Sequence, residues 1–134
     1  MKSPAHDLAL YLVTAGVGAF GGEAAWSVNV AVEPVSPPEA ITLYDTGGGE
    51  PDTDELTDFL PTFQVRVRGP NYATAYSKQE AIRNLLILPE PIVVDSSQFV
   101  GIQMSSDIIC IGRDESDRFL LVANYRARRT AKET

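Results

Sequence analysis

The stretch Pro61–Leu88, PTFQVRVRGPNYATAYSKQEAIRNLLIL, decides the fold because its hydrophobic period changes halfway along. Over its first half, apolar and polar side chains alternate, which predicts a strand with one buried and one solvated face. The expected inner side chains are Phe63, Val65 and Val67, and the expected outer ones are Thr62, Gln64, Arg66 and Arg68. The centre of the fold is therefore expected to be a strand whose solvated row carries two arginines.

Gly69 and Pro70 end this strand, and an amphipathic helix is expected from Asn71 onward. Its apolar side chains share one helical stripe and are Tyr72, Ala75, Tyr76, Ile82, Leu85 and Leu86. The two tyrosines, with the arginines of the preceding strand, have the chemistry to stack single-stranded bases. Because they lie on the same stripe as aliphatic side chains, packing in the core is the preferred interpretation.

One helix and two strands are expected before this central unit. The helix is predicted from Pro4 to about Val13, since Ser-Pro is a typical start of a helix. A glycine-rich loop, residues 15–22, leads to an alternating strand over Trp26–Val32. A proline-rich connector then reaches a second strand over Ala40–Asp45, and an antiparallel pair is the simplest arrangement of the two.

After the central helix, the sequence predicts a short extended piece and a three-stranded antiparallel meander. These segments are Ile92–Val94, Phe99–Met104, Asp107–Gly112 and Asp117–Arg126, with turns at Ser105-Ser106 and Arg113–Ser116. Ile109 and Ile111 are expected on the inner face. Together with the earlier elements, the pattern predicts a single α+β domain over residues 1–134. Its sheet is expected to be mixed and largely antiparallel, with two α-helices packed on one face.

The composition is that of a chain able to fold without a covalent or metal staple. It has 134 residues, 44% of them hydrophobic, which suffices for one core. The single cysteine, Cys110, allows no internal disulfide and is expected to be buried in a strand, which favours folding in a reducing cytoplasm. The longest apolar run, Leu8–Phe20, is too short to cross a bilayer, so no membrane association is expected.

The formal net charge of -7 is concentrated in one acidic stretch. Its carboxylates are Asp45, Glu50, Asp52, Asp54, Glu55 and Asp58, without a lysine or arginine between them. Residues 46–60 are accordingly expected to be a mobile acidic loop, and residues 127–134 a flexible tail, with arginines clustered just before and within it. This asymmetry is compatible with head-to-tail contacts between copies, with a basic tail that binds an anion, or with a solvated loop and a frayed tail.

Features of a catalytic or metal site are missing from the sequence. The acidic stretch resembles a calcium loop only in part, because Leu56 stands where a third ligand is needed. The single histidine, His6, is expected to be solvated in the first turn of the first helix, and no serine has the setting of an activated nucleophile. We therefore expect no enzymatic activity, no cofactor and no bound metal.

Three segments carry a resemblance to a known family. They are ITLYDTGGGEPD (Ile41–Asp52), PTFQVRVRGPNYATAYSKQEAIRNLL (Pro61–Leu86) and IGRDESDRFLLVANYRARR (Ile111–Arg129). They resemble the minor capsid proteins of tailed bacteriophages, a group similar to the tail terminator or tail completion proteins. The most specific parts are Tyr44–Gly48 and Phe63–Gly69.

The resemblance implies a structural virion protein with no catalytic residues. It implies a small protomer that closes, usually as a homohexameric ring, on the head-proximal end of the tail tube and joins it to the head-tail connector or stopper protein. Genomic DNA would pass through the lumen without specific binding. The acidic residues given above, with Arg66 and Arg68, are the candidate interface. The alternatives are a small regulatory or adaptor module outside the virion and an accessory protein that binds nucleic acid.

Overall fold

A computed structural model of the protein describes residues 2–22, 25–49, 58–95 and 97–131. The elements are α1 (Pro4–Thr14), β1 (Ala19–Phe20), β2 (Ser27–Val30), β3 (Ala40–Gly49), β4 (Asp58–Gly69), α2 (Tyr72–Leu86), β5 (Ile92–Val94), β6 (Ser97–Arg113) and β7 (Phe119–Ala131). The strands form one sheet in the order β1-β2-β3-β4-β7-β6-β5. The pairs β1/β2 and β2/β3 are parallel and the other four pairs are antiparallel. The expected α+β class is confirmed.

The central strand β4 has the predicted inner face. Phe63, Val65 and Val67 are fully buried in one core with side chains from both helices. The ring of Phe63 stacks on that of Tyr125 in β7, with centroids 5.2 Å apart. The helices also contact each other, since the Tyr11 hydroxyl donates to the Leu85 carbonyl at 2.8 Å. Both helices therefore pack on the same face of the sheet.

The helix α2 begins where the sequence predicts, because Asn71 caps it by accepting the amides of Ala73 and Thr74 at 2.9 and 3.3 Å. Its buried face differs from the predicted stripe at two positions. Gln79 is fully buried, while Tyr72 is 46% exposed. The Gln79 amide donates to backbone carbonyls of β4 and β7. A polar residue thus ties the helix to the two central strands.

The prediction that the first two long strands are antiparallel is wrong. Ser27 lies beside Ala40 and Val30 beside Leu43, so β2 and β3 run in parallel. The connector, residues 31–39, is the cause, because it returns along the sheet to the end at which β2 began. A tight turn, which an antiparallel pair would need, is replaced by this nine-residue return.

The prediction of a loop over residues 46–60 is also wrong, because both ends of this segment are strand. The strand β3 continues to Gly49 past a bulge, and β4 begins at Asp58. The positive φ of Gly47, 93°, accommodates this bulge, and the Thr46 hydroxyl donates to that of Thr62 at 2.8 Å. The remainder of the predicted loop, residues 50–57, lies outside the described residues.

The predicted meander is instead a long hairpin. The strand β6 runs from Ser97 to Arg113 without a turn at Ser105-Ser106, and it pairs with β7 through several register shifts. These bulges break the simple alternation, so Ile109 and Ile111 are each 50% exposed rather than buried. The expectation for Cys110 is likewise wrong, because it is exposed. The far half of β6 lies at the sheet edge, because β5 pairs only with its first three residues.

The expected flexible tail is strand as far as the structure describes it. The strand β7 continues to Ala131, and the side chains of Ala127 and Arg129 are buried. The guanidinium of Arg129 reaches the carboxylate of Asp7 at 2.6 Å and the hydroxyl of Ser97 at 2.8 Å. This buried ion pair joins the end of β7 to the start of α1. By contrast, the expected exposure of His6 is confirmed.

Candidate functional site

The sheet face opposite the helices is the candidate interaction site, and we call it the outer face. Within the described residues, no helix covers it, although the connector 31–39 lies over one end. Its polar side chains come from four neighbouring strands and are Tyr44, Thr62, Gln64, Arg66, Gln103, Ser106, Asn124 and Arg126. The sheet places them in register, because residues opposite each other on adjacent strands share a face.

Hydrogen bonds between strands hold much of the outer face in a fixed arrangement. The Gln64 amide donates to the Asn124 side-chain oxygen at 3.1 Å, and Asn124 donates in turn to the Ser106 hydroxyl at 3.0 Å. Arg126 donates two bonds to the Gln103 oxygen, at 3.3 and 3.0 Å. Side chains ordered before a partner arrives lose less conformational entropy on binding. The face is therefore suited to recognise a protein surface.

Arg66 lies near the centre of the outer face, as the sequence predicts, but it is partly enclosed. Its side chain is 28% exposed and lies 3.7 Å from the Glu33 carboxylate and 5.3 Å from the centre of the Tyr44 ring. It also donates to Gln64 at 3.4 Å. Burial raises the pKa of Tyr44, the Arg66 charge lowers it and Glu33 raises it. The buried Nε of Arg66 has no partner among the described residues.

Arg68 does not belong to a solvated row, so that prediction is wrong. It is 3% exposed, and its guanidinium donates to the carbonyls of Pro34, Pro37 and Pro38, the latter two at 2.7 and 3.2 Å. Burial, followed by the nearby Arg118 charge, lowers the pKa of Arg68. The proline connector folds over this end of β4 because its carbonyls satisfy the guanidinium. Arg68 is thus a structural residue that is not accessible to a partner.

The acidic candidates are only partly described. Asp45 is exposed and accepts the Ala5 amide at 2.8 Å, which satisfies a backbone group at the start of α1. Of the others, Glu50, Asp52, Asp54 and Glu55 lie outside the described residues, and only the backbone of Asp58 is described.

The sheet brings the end of the acidic stretch beside the basic end of β7. Asp58 pairs with Thr130, and Phe59 pairs with Arg129. The backbone at the end of the acidic stretch thus lies beside the basic end of β7 within one protomer.

A pocket of about 390 Å³ opens at this same end of the outer face. Its lining includes Leu60, Thr62, Val100, Gly101 and Arg126. Gly101 has a φ of 59° at a bulge in β6, which a side chain would strain. The bulge bends the strand and makes the surface concave there. The outer face therefore combines a polar centre with a concave end that carries an arginine.

Most of the outer face was not predicted from the sequence. On β7, the polar residues Asn124 and Arg126 alternate with the buried Ala123, Tyr125 and Ala127. That alternation was a usable signal. The partners on β6 had no such signal, because bulges disturb its period.

The part of the chain that the structure describes contains no group of three or more His, Cys, Asp or Glu side chains placed to bind a metal ion. Its helices are all too short or too polar to cross a membrane. What the outer face offers is hydrogen-bond donors, acceptors and positive charge in fixed positions.

Comparison with known proteins gives a consistent result. The sequence pattern of the family described as "Bacteriophage tail terminator protein" matches residues 11–131. Among solved structures, a chain of the virion of a native gene transfer agent particle has the same fold, with a TM-score of 0.55 and 20% identity over 77% of this chain and 78% of that one. A search of curated protein sequences found no match. Because the family pattern spans most of the sequence, the chain belongs to the bacteriophage tail terminator family.

Proposed function

We propose that copies of this protein form a ring, typically a hexamer, that caps the head-proximal end of the phage tail tube and joins it to the head connector. The observation that carries the proposal is the family match over residues 11–131, which makes the protein a structural component of a phage tail. Such a component associates with other tail and head proteins in the virion. The family also indicates a structural rather than an enzymatic role.

The ring requires two different surfaces on each protomer, because a head-to-tail contact repeats in one direction until it closes. The ordered outer face supplies one surface, with Arg66 at its centre and the exposed Arg126 beside its concave end. The acidic stretch from Glu50 to Asp58 supplies the complementary one. Arg68 is not part of this proposed interface, because its guanidinium is buried under the connector. Complementary potentials of this kind fix register and partner choice.

The remaining partners follow from the same position in the virion. The protein is synthesised in the host cytoplasm. In the virion, one rim of the ring contacts the tail tube protein and the other contacts the connector or stopper protein. Genomic DNA slides through the lumen without specific binding. The net charge of -7 supports this, since tight DNA binding depends mostly on cationic contacts to phosphate.

The experiment that tests the proposal is removal of the protein from a phage that encodes it. Heads and tails are expected to accumulate separately, and the purified protein is expected to restore joining. Electron microscopy of tails with the protein bound should show a ring at the head-proximal end. If the protein is missing from purified virions and joining proceeds without it, the ring proposal is refuted. The protein is then a small regulatory or adaptor module outside the virion.

The interface within the ring is tested by charge reversal. Arg66→Glu should leave the fold intact but weaken head-tail joining, and Asp52→Lys with Asp54→Lys should partly restore it. High salt should mimic the single variant, since exposed ion pairs are screened. Arg83→Glu is the matched control, because Arg83 has a similar exposure but lies on α2, away from the outer face. Equal joining by Arg66→Glu and Arg83→Glu would exclude the proposed contact.

A further inference from the structure

The strand β6 has an edge that is open over most of its length. One side of β6 pairs with β7 from Ser97 to Arg113. The other side pairs with β5, but only from Ser97 to Phe99. In the described part of the chain, no strand pairs with that side from Val100 to Arg113. A long row of backbone amides and carbonyls is therefore available to another strand.

Bulges interrupt this open edge, but charged and conformational blocks are few. Lysines and prolines are among the residues with which natural proteins block an exposed edge. Between Val100 and Arg113 there is neither a lysine nor a proline, and the only acidic residue is Asp107. Ile109 and Ile111 are each half exposed at the same place. Apolar side chains beside unpaired backbone groups favour the addition of a strand.

The order of residues along the edge is complementary to itself. Ile109 and Ile111 flank Cys110 by one residue on either side, and Asp107 and Arg113 flank it by three. When two such strands pair antiparallel about Cys110, each Ile109 lies opposite Ile111 of the second copy. In the same register, each Asp107 lies opposite Arg113 of the second copy. Apolar and opposite-charge cross-strand pairs both stabilise a sheet.

We propose that the free protein forms a two-fold symmetric dimer in which the open edges of β6 pair antiparallel about Cys110. The partner is a second copy of this chain because the edge carries its own complement of charge and apolar groups. The sheets of the two copies become continuous across this contact.

The contacts that Asp107 and Arg113 make within one copy leave both side chains available for the dimer. Arg113 lies 3.5 Å from Asp117, but both side chains are more than half exposed, and such pairs contribute little to stability. Its guanidinium lies over the Phe119 ring at 5.6 Å, which keeps it beside β6. One Asp107 oxygen accepts the Ile108 amide at 2.7 Å, and the other has capacity for the arginine of the second copy.

This dimer goes beyond the proposed ring and does not depend on it. A two-fold contact uses the same patch on both copies, so it closes after two and cannot by itself build a ring by head-to-tail repetition. The dimer is a state of the free protein before assembly. In it, each copy covers an edge of β6 that would otherwise be open to strands of other molecules. The tail-joining experiment and the dimer experiment can therefore fail separately.

Native mass spectrometry and sedimentation velocity over a range of concentrations test the dimer. The expected mass is twice the monomer mass of 14.5 kDa. Arg113→Asp should remove the dimer because it sets two carboxylates opposite each other, and Asp107→Arg should do the same with two arginines. The double variant should restore the dimer. Val93→Asp is the control, since Val93 is 48% exposed on β5 outside the proposed register, and it should remain dimeric.

Cross-linking reports the register directly, because Cys110 is the only cysteine in the chain and is exposed. Directly opposite residues in antiparallel strands approach within reach of a disulfide. Mild oxidation should thus give a covalent dimer in the wild type, and Cys110→Ser should dimerise without it. A monomer at every concentration, a dimer unaffected by Arg113→Asp, or a dimer without the Cys110 cross-link would each overturn the inference.

Discussion

Replacement of Arg129 by methionine would leave the carboxylate of Asp7 buried without its counter-ion. In the folded protein Asp7 is 1% exposed and Arg129 is 5% exposed, with 2.6 Å between Oδ2 and Nη2. The guanidinium also donates to the hydroxyl of Ser97 and the carbonyl of Lys2, and it lies over the Phe99 ring. The substitution therefore removes the partner of a buried charge together with three further hydrogen bonds, two to Ser97 and one to Lys2.

The expected loss follows from the cost of an unpaired buried charge. Breaking a buried pair by removing one partner costs about 3–5 kcal/mol, out of a total stability of about 5–15 kcal/mol. For a chain of this length, about 3–4 °C per kcal/mol gives a fall of about 10–20 °C in Tm. Replacing both partners, Asp7→Leu with Arg129→Met, should recover much of the loss, because no unpaired charge is then buried.

Urea unfolding followed by circular dichroism measures these free energies. Arg126→Met is the matched control, since Arg126 is an exposed arginine on the same strand and its loss should change stability by at most about 0.5 kcal/mol. If Arg129→Met costs no more than Arg126→Met, the ion pair is not shielded from water and the reasoning fails. If the double variant is as unstable as Arg129→Met, the loss comes from packing rather than from the unpaired carboxylate.

Three further predictions concern single residues of the sheet. Val65→Asp should prevent folding, because it buries a carboxylate in the core at a cost of several kcal/mol, on the order of the total stability; a cooperative unfolding transition near the wild-type midpoint would contradict this. Arg68→Ala should destabilise the domain by about 2–4 kcal/mol, because three carbonyls lose their donor, whereas Arg66→Ala should cost less than about 1 kcal/mol. Equal thermal midpoints for these two variants would refute the difference in burial. Burial raises the pKa of Tyr125 to about 12, so its contribution to stability is fully present below about pH 10 and is lost as the pH rises toward 12. Tyr125→Phe should therefore lose less stability than the wild type between pH 9 and pH 11.5, as measured by urea unfolding at both values.

The centre of the sheet could be predicted from the sequence because alternation is undisturbed there. The strand β4 has neighbours on both sides and helices on one face, so its period of two matches its burial from Phe63 to Val67. The strand β6 could not be predicted in the same way. Each bulge adds a residue and shifts the alternation, so an apolar run such as Ile108–Ile111 carries no reliable sign of which side faces the core.

The candidate site was harder to predict because polarity alone does not distinguish a solvated side chain from a buried one with partners. Arg66 and Arg68 have the same parity on one strand and the same charge, yet one is partly exposed and the other is buried. What separates them is the connector 31–39, whose prolines lack amide hydrogens but offer carbonyls to a guanidinium. That connector forms part of the parallel link between β2 and β3, which the local pattern did not predict. The accessible surface thus depends on the topology, and an error in strand direction becomes an error about which arginine a partner can reach.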